Sequence, residues 1–141
     1  IGLPAFVTAV YGVLDPASGR FTYANCGHLP PLLFRADGAA ERLHSSGPCL
    51  GVFEEAVYEP REAVLAPGDL LLLYTDGVVE IEPEAGGEFG VDRLSELVGA
   101  LGGRTAADIV LAAADATREF AGTDNYQDDF TLLAVRRHAV V

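Results

Sequence analysis

The chain has 141 residues, half of them hydrophobic, with 9 Lys and Arg against 21 Asp and Glu and a formal net charge of −12. That length suits one domain or part of one, with enough apolar side chains for a real core. The acidic balance argues against a nucleic-acid partner, whose phosphates demand basic patches, and against an anionic membrane surface. No apolar run approaches the roughly 18–20 residues that span a bilayer. The opening Ile1-Gly2-Leu3-Pro4-Ala5 has neither the charged segment nor the cleavage signature of a secretory signal. A chain without methionine that opens on Ile1 is expected to be a piece of a longer protein. Cys26 and Cys49 form no CxxC and read as reduced, partly buried thiols of an intracellular protein.

Residues 6–14 are rich in β-branched and aromatic side chains and read as a strand. Asp15-Pro16-Ala17-Ser18-Gly19 is a turn cluster. Residues 20–25 alternate polar and apolar and are expected to pair back as the second arm of a hairpin. Asn25-Cys26-Gly27-His28-Leu29-Pro30-Pro31 then breaks the strand and holds a polar Asn and His at its end. A short strand resumes over 32–35 before the turn Ala36-Asp37-Gly38. Residues 41–52, punctuated by Gly47-Pro48 and Gly51, read as a loop with short strands, and 57–65 as a strand of alternating exposure.

Pro67-Gly68-Asp69 turns the chain into Leu70-Leu71-Leu72-Leu73-Tyr74. A continuous apolar run of this length between turn residues reads as a strand buried on both faces, although periodicity alone leaves a buried helix open. Thr75-Asp76-Gly77 follows at once. A carboxylate at the mouth of a buried strand is costly unless something pairs with it, and the adjacent glycine lets backbone approach a ligand closely. The motif reads either as a strand-end Asp-Gly turn or as half of a cation site.

Glu82-Pro83-Glu84-Ala85-Gly86-Gly87-Glu88 is an acidic surface loop. Val91, Leu94, Leu97, Val98 and Leu101 make a helical stripe that Gly102-Gly103 ends. Thr105 is placed to N-cap a second helix whose Ile109, Ala113, Ala116 and Phe120 share a face and which Gly122 stops. A loop over 123–129 leads into a last strand over 130–135. Several antiparallel-looking strands, two consecutive helices and a strand give an α+β class without alternating βαβ units.

Two acidic sites share a description. Asp76-Gly77 closes one strand and Asp128-Asp129 opens another, and strands running opposite ways in a sheet bring such ends to one rim. Oxygen donors without a His or Cys cluster fit a hard cation, Mg²⁺ or Mn²⁺, better than zinc. Carboxylates held that close favour a bound cation or protonation. Two separate solvated turns are the alternative. The Asp124 loop has Tyr126 and Asp129 where a calcium EF-hand wants an acid or amide and a glycine, so that reading falls. There is no GxSxG, GxGxxG or P-loop, and His28, His44 and His138 show no ligand spacing.

Taken in order, five segments resemble one known family. They are Phe6-Val7-Thr8-Ala9 with Tyr11-Gly12-Val13-Leu14-Asp15, Asn25-Cys26-Gly27-His28 with Pro30-Pro31-Leu32-Leu33, Gly47-Pro48-Cys49-Leu50-Gly51, Tyr74-Thr75-Asp76-Gly77-Val78, and Asp128-Asp129-Phe130-Thr131. Each is weak alone, but together they are similar to the sporulation-phosphatase branch (stage II sporulation protein E and the sigma-B regulatory phosphatases) of the metal-dependent protein phosphatase 2C-like superfamily.

The resemblance implies an antiparallel β-sandwich flanked by helices, with a two-metal Mg²⁺ or Mn²⁺ site in the cleft between the sheets. It implies a serine/threonine phosphatase in which Asp76 and Asp128 ligate metal, with Gly77 and Asp129 at supporting positions of the site. Asn25, Gly27 and His28, with Cys26 replacing the family's Ala, are expected to shape the hairpin beside it. The family's first strands and an Asp-x-x-Gly-His-Gly-type segment have no counterpart in this chain. A truncated catalytic domain is therefore expected, its metal site completed by upstream residues and its sheet left with an unpaired edge and apolar surface. By analogy the substrate is a phosphorylated regulatory protein such as an anti-anti-sigma factor, in the cytoplasm, with homodimerisation left open. A phosphatase-like module that is inactive and docks a regulatory partner is the rival reading.

Overall fold

The computed structural model describes residues 5–123, 126 and 128–139, so Asp124, the start of the rejected EF-hand reading, lies outside the described residues. The strands among the described residues sort into two antiparallel sheets. β1 (Ala9–Leu14), β2 (Arg20–Cys26) and β5 (Arg61–Val64) form a three-stranded sheet in the order β1-β2-β5. β3 (Leu32–Phe34), β4 (Ala40–Arg42), β6 (Leu70–Tyr74) and β7 (Leu132–Arg136) form a four-stranded sheet in the order β4-β3-β6-β7. Three helices complete the described chain: α1 (Asp76–Val79), α2 (Gly90–Leu101) and α3 (Ala106–Ala121).

The hairpin expected across the Asp15 turn is present, with β1 and β2 in register from Ala9↔Cys26 to Leu14↔Phe21. β1 starts later than the apolar run that announced it. Val7 exchanges backbone hydrogen bonds with Leu50 at 3.0 and 2.8 Å, so the segment before Ala9 leaves the hairpin for a different partner. β5 occupies only the second half of 57–65, because Pro60 has no N–H to give a ladder. The last strand is likewise shifted to Leu132–Arg136.

β6 is the strand on which both cores rest, because side chains alternate across a pleated strand. Leu70, Leu72 and Tyr74, with Leu32 and Phe34 of β3, pack against Val78, Leu94, Val98, Ile109 and Ala113 of the helices. Leu71 and Leu73 point the other way, joining Leu33, Leu43, Leu65, Phe21 and Tyr23 between the two sheets. The layers are therefore sheet, sheet and helices, the sandwich with flanking helices that the motifs implied. The helices end as the sequence indicates. Thr105 and Asp108 form a capping box at the start of α3, and Gly122 closes it in the left-handed region at φ 69°. The outer face of the three-stranded sheet carries Tyr11, Val13 and Val64, all exposed.

Candidate functional site

β6 begins and ends at aspartates in opposite surroundings. Before its first residue stands Asp69, 2% exposed, with its carboxylate fully engaged. Arg35 Nη1 and the Ala66 N–H donate to Oδ2 at 2.8 and 2.9 Å, and the Ala36 N–H donates to Oδ1 at 3.1 Å. Past its last residue, Asp76 is exposed and Oδ1 accepts the Gly77 N–H at 2.9 Å. A buried carboxylate is tolerable only when its oxygens are paired, and Asp69 meets that condition. Asp76 retains lone pairs that face outward.

The expected Asp-Gly turn is in fact the first turn of a helix. Asp76 opens α1, closed by the Val78 N–H on Thr75 O at 3.0 Å and the Glu80 N–H on Asp76 O at 2.8 Å. Sequence reasoning missed α1 because four residues including Gly77 and two valines carry little helix propensity. Thr75 is its N-cap, yet the hydroxyl makes no capping bond. It is used across the rim instead. Thr75 Oγ1 donates to Asp129 O at 3.1 Å and accepts the Thr131 N–H at 3.1 Å, while the Thr75 N–H donates to Thr131 O at 3.1 Å.

These bonds continue the β6–β7 ladder past its last pair, Tyr74↔Leu132, and bring Asp76-Gly77 and Asp128-Asp129 to one rim. Gly77 is buried there, and a Cβ on it would run into the Asp129 carbonyl and lie 3.4 Å from the carbonyl carbon of Asp128. Only glycine lets the two backbones close this far. Asp128 and Asp129 are exposed, and Asp128 Oδ1 accepts the Asp129 N–H at 2.7 Å.

Glu80 belongs to the same rim and was not singled out from the sequence. Its carboxyl is raised above the usual range by desolvation first, then by Asp76, Glu88, Asp128 and Glu82. The signal was the i, i+4 spacing from Asp76, legible only once residues 76–80 are known to be helical. The rim borders a cleft of about 360 Å³ lined by Thr8, Gly27, His28, Leu29, Asp76 and Glu80 among others. His28 was expected to shape the hairpin beside the site, and its ring lies in this cleft with Nε2 3.0 Å from Tyr74 O and Nδ1 3.0 Å from Thr8 Oγ1. His44 and His138 are exposed.

The donor chemistry fits a hard divalent cation, since Asp76 and Asp128 offer carboxylate oxygens and the surrounding carboxylates create a field that a cation relieves. Among the described residues no group of three or more His, Cys, Asp and Glu is arranged to hold a metal ion. A cation at this rim would therefore draw further ligands from water, phosphate or other protein oxygens.

Comparison with known proteins bears on the fold and the family. Over 133 residues the chain is 29% identical to the phosphoserine phosphatase RsbU of Bacillus subtilis, covering 94% of this chain and 39% of that one. The solved RsbU and RsbW domains of a Mycobacterium tuberculosis protein are 32% identical, with a TM-score of 0.74 over 95% of this chain and 37% of theirs. The SiaA-PP2C domain of Pseudomonas aeruginosa superposes with a TM-score of 0.79 at 23% identity, over 92% of this chain and 51% of that one. The fold is therefore that of the PP2C-like phosphatase domains. The chain spans well under half the length of the curated relatives it matches. From residue 2 to residue 138 the sequence fits the family model of stage II sporulation protein E, and the chain belongs to that family.

Proposed function

We propose that the protein containing this chain is a metal-dependent serine/threonine protein phosphatase, with Asp76 and Asp128 as cation ligands and Gly77 and Asp129 in support. The observation that carries this reading is the docking of Thr75-Asp76-Gly77 against Asp128-Asp129 through Thr75 and the missing Gly77 side chain. The name of its relative RsbU, a phosphoserine phosphatase, supports the reaction class. A bound Mg²⁺ or Mn²⁺ pair would supply Lewis acidity here, lowering the pKa of coordinated water and offsetting charge on the phosphoryl oxygens.

The chain's own residues do the holding. Thr75 ties the two acidic segments together, and the β6 core beneath them keeps the rim from spreading. Glu80 adds negative charge beside Asp76 and Asp128, so a phosphate dianion is repelled from the bare rim and its approach depends on a cation. The substrate class is phosphoserine or phosphothreonine on a regulatory protein in sigma-factor or stress signalling, an anti-anti-sigma factor by analogy with the family. The name of RsbU, a phosphoserine phosphatase, supports the phosphoserine part of that reading. In that role the domain works in the cytoplasm. Among the described residues no helix is long and apolar enough to cross a membrane.

The test is Mn²⁺-dependent release of phosphate from a phosphoserine protein, using the longest natural chain that contains these residues. Asp76→Asn is expected to abolish it, and undiminished turnover in that variant would end the assignment of the site. A wild-type protein that gives no heat of Mn²⁺ binding in calorimetry would transfer the argument to the inactive, partner-docking module.

A further inference from the structure

The turn after β2 places an imidazole between the two sheets. We propose that His28 is a positioning residue that ties the segment before β1 to the peptide presenting Asp76, by donating its Nε2–H to the Tyr74 carbonyl. The proposal rests on the reading of Asp76 as a cation ligand.

The bond partners assign the tautomer. A carbonyl oxygen only accepts, so the proton shared with Tyr74 O at 3.0 Å sits on Nε2, and Nδ1 is left to accept from the Thr8 hydroxyl, also at 3.0 Å. The need for such a donor follows from the sheet. The register between β3 and β6 ends at Leu32↔Leu72, two residues short of Tyr74. The chain just before β3 is Pro30-Pro31, which has no N–H to extend the ladder. The imidazole supplies the donor that this backbone lacks. Pro30 contributes an acceptor instead, taking the Tyr74 hydroxyl at 3.0 Å.

The ring is itself held in place. Asn25, fully buried, accepts the His28 N–H on Oδ1 at 2.9 Å, which orients the backbone that carries the imidazole. On the opposite flank, Thr75 is bonded to Thr131 and Asp129. The peptide leading into Asp76 is thus clamped from both sides, by the β7 segment and by one side chain from the hairpin of the other sheet. Displacement of the segment before β1 reaches Asp76 through this ring.

Conservative variants separate positioning from filling space. A Gln amide reaches about where Nε2 stands, and an Asn amide reaches only the Nδ1 position. In the longest natural chain, His28→Asn is expected to raise the Mn²⁺ needed for half-maximal phosphate release about tenfold or more, the usual cost of losing a group that orients a metal ligand. His28→Gln is expected to stay near wild type. Thr8→Val, at an exposed position, is expected to shift the same midpoint in the same direction by less.

Hydrogen exchange of the Thr75 and Val78 amides gives a readout independent of catalysis: faster in His28→Asn, near wild type in His28→Gln. Equal behaviour of the two His28 variants overturns the proposal. So does altered exchange with unchanged Mn²⁺ dependence, because the ring would then steady the strand end without setting Asp76. If His28→Asn does not fold, an unmoved Mn²⁺ midpoint in Thr8→Val overturns it. If the wild type releases no phosphate, the phosphatase reading fails, and the exchange comparison alone decides what His28 does.

Discussion

Asp69 and Asp76 bracket the same five-residue strand, yet one is buried and bonded on both oxygens while the other stands exposed at a cleft. The difference separates two uses of a carboxylate. Asp69 fastens the start of β6 to the turn after β3 through Arg35 and the Ala36 N–H, so its charge is spent inside the protein. Asp76 follows the far end of the same strand, opening α1, and stands exposed with only the Gly77 N–H on its carboxylate among the described residues. A strand buried on both faces is a good mount for such a group, because its position is set by two cores at once.

The comparison breaks if the two substitutions behave alike. Asp76→Asn is expected to lower Mn²⁺-dependent phosphate release by roughly two orders of magnitude or more while leaving the urea midpoint nearly unchanged. Asp69→Ala is expected to do the reverse. It removes one of the acceptors of Arg35, which keeps Val64 O and Glu41, and leaves the Ala36 and Ala66 N–H groups without theirs, costing roughly 2–4 kcal/mol in urea denaturation, with activity per folded molecule retained. Loss of stability in Asp76→Asn, or loss of specific activity in Asp69→Ala, would show that the two roles are not separable.

Gly77→Ala sharpens the contrast from the site side. Its methyl group meets the Asp129 carbonyl, so overpacking of about 1–3 kcal/mol is expected, together with a higher Mn²⁺ requirement as the Asp128 segment is pushed away. A variant with wild-type stability and metal dependence would remove Gly77 from the site. A third aspartate gives the smallest effect. Asp108 is held below its ordinary value of 3.8 by the side-chain bond with Thr105 and then by the Thr105 backbone N–H. A carboxyl lowered by folding stabilises the folded chain above its unfolded pKa, and that contribution fades as pH falls through the folded value. Urea midpoints of wild type should therefore drop more than those of Asp108→Asn as pH is lowered past 3.8. Parallel pH curves would mean that the exposed capping box adds nothing measurable.

Much of the architecture was legible because it depends on local chemistry. The Asp15 turn, the apolar run at 70–74, the Thr105 cap and the Gly122 stop each act within a few residues, and each element stands where those signals put it. The edges of β1, β5 and β7 were less legible, since they depend on which segment pairs with which. Val7 illustrates this, with side-chain character suited to continuing β1 and a backbone bonded to Leu50. The short helix at Asp76 was hidden for a related reason. Its residues are poor helix formers, and the turn is secured by the docking of Thr75 and Gly77 on the β7 segment.

By itself, the sequence determined that a buried five-residue strand would end in Thr75-Asp76-Gly77, that a second acidic pair would precede the last strand, and that the order of motifs matches one family. Antiparallel pairing of β6 with β7 then decided that these two segments share a rim. The tertiary structure also decided which aspartate beside β6 is paired inside the protein and which is left exposed, because the partners of Asp69 come from Arg35, Ala36 and Ala66. It drew His28 into the neighbourhood of Asp76 across 46 residues of chain separating it from Tyr74. Spacing along a sequence carries propensity and period. Whether a carboxylate is paired or a histidine bonded depends on contacts between distant segments, and those exist only after the sheets have packed.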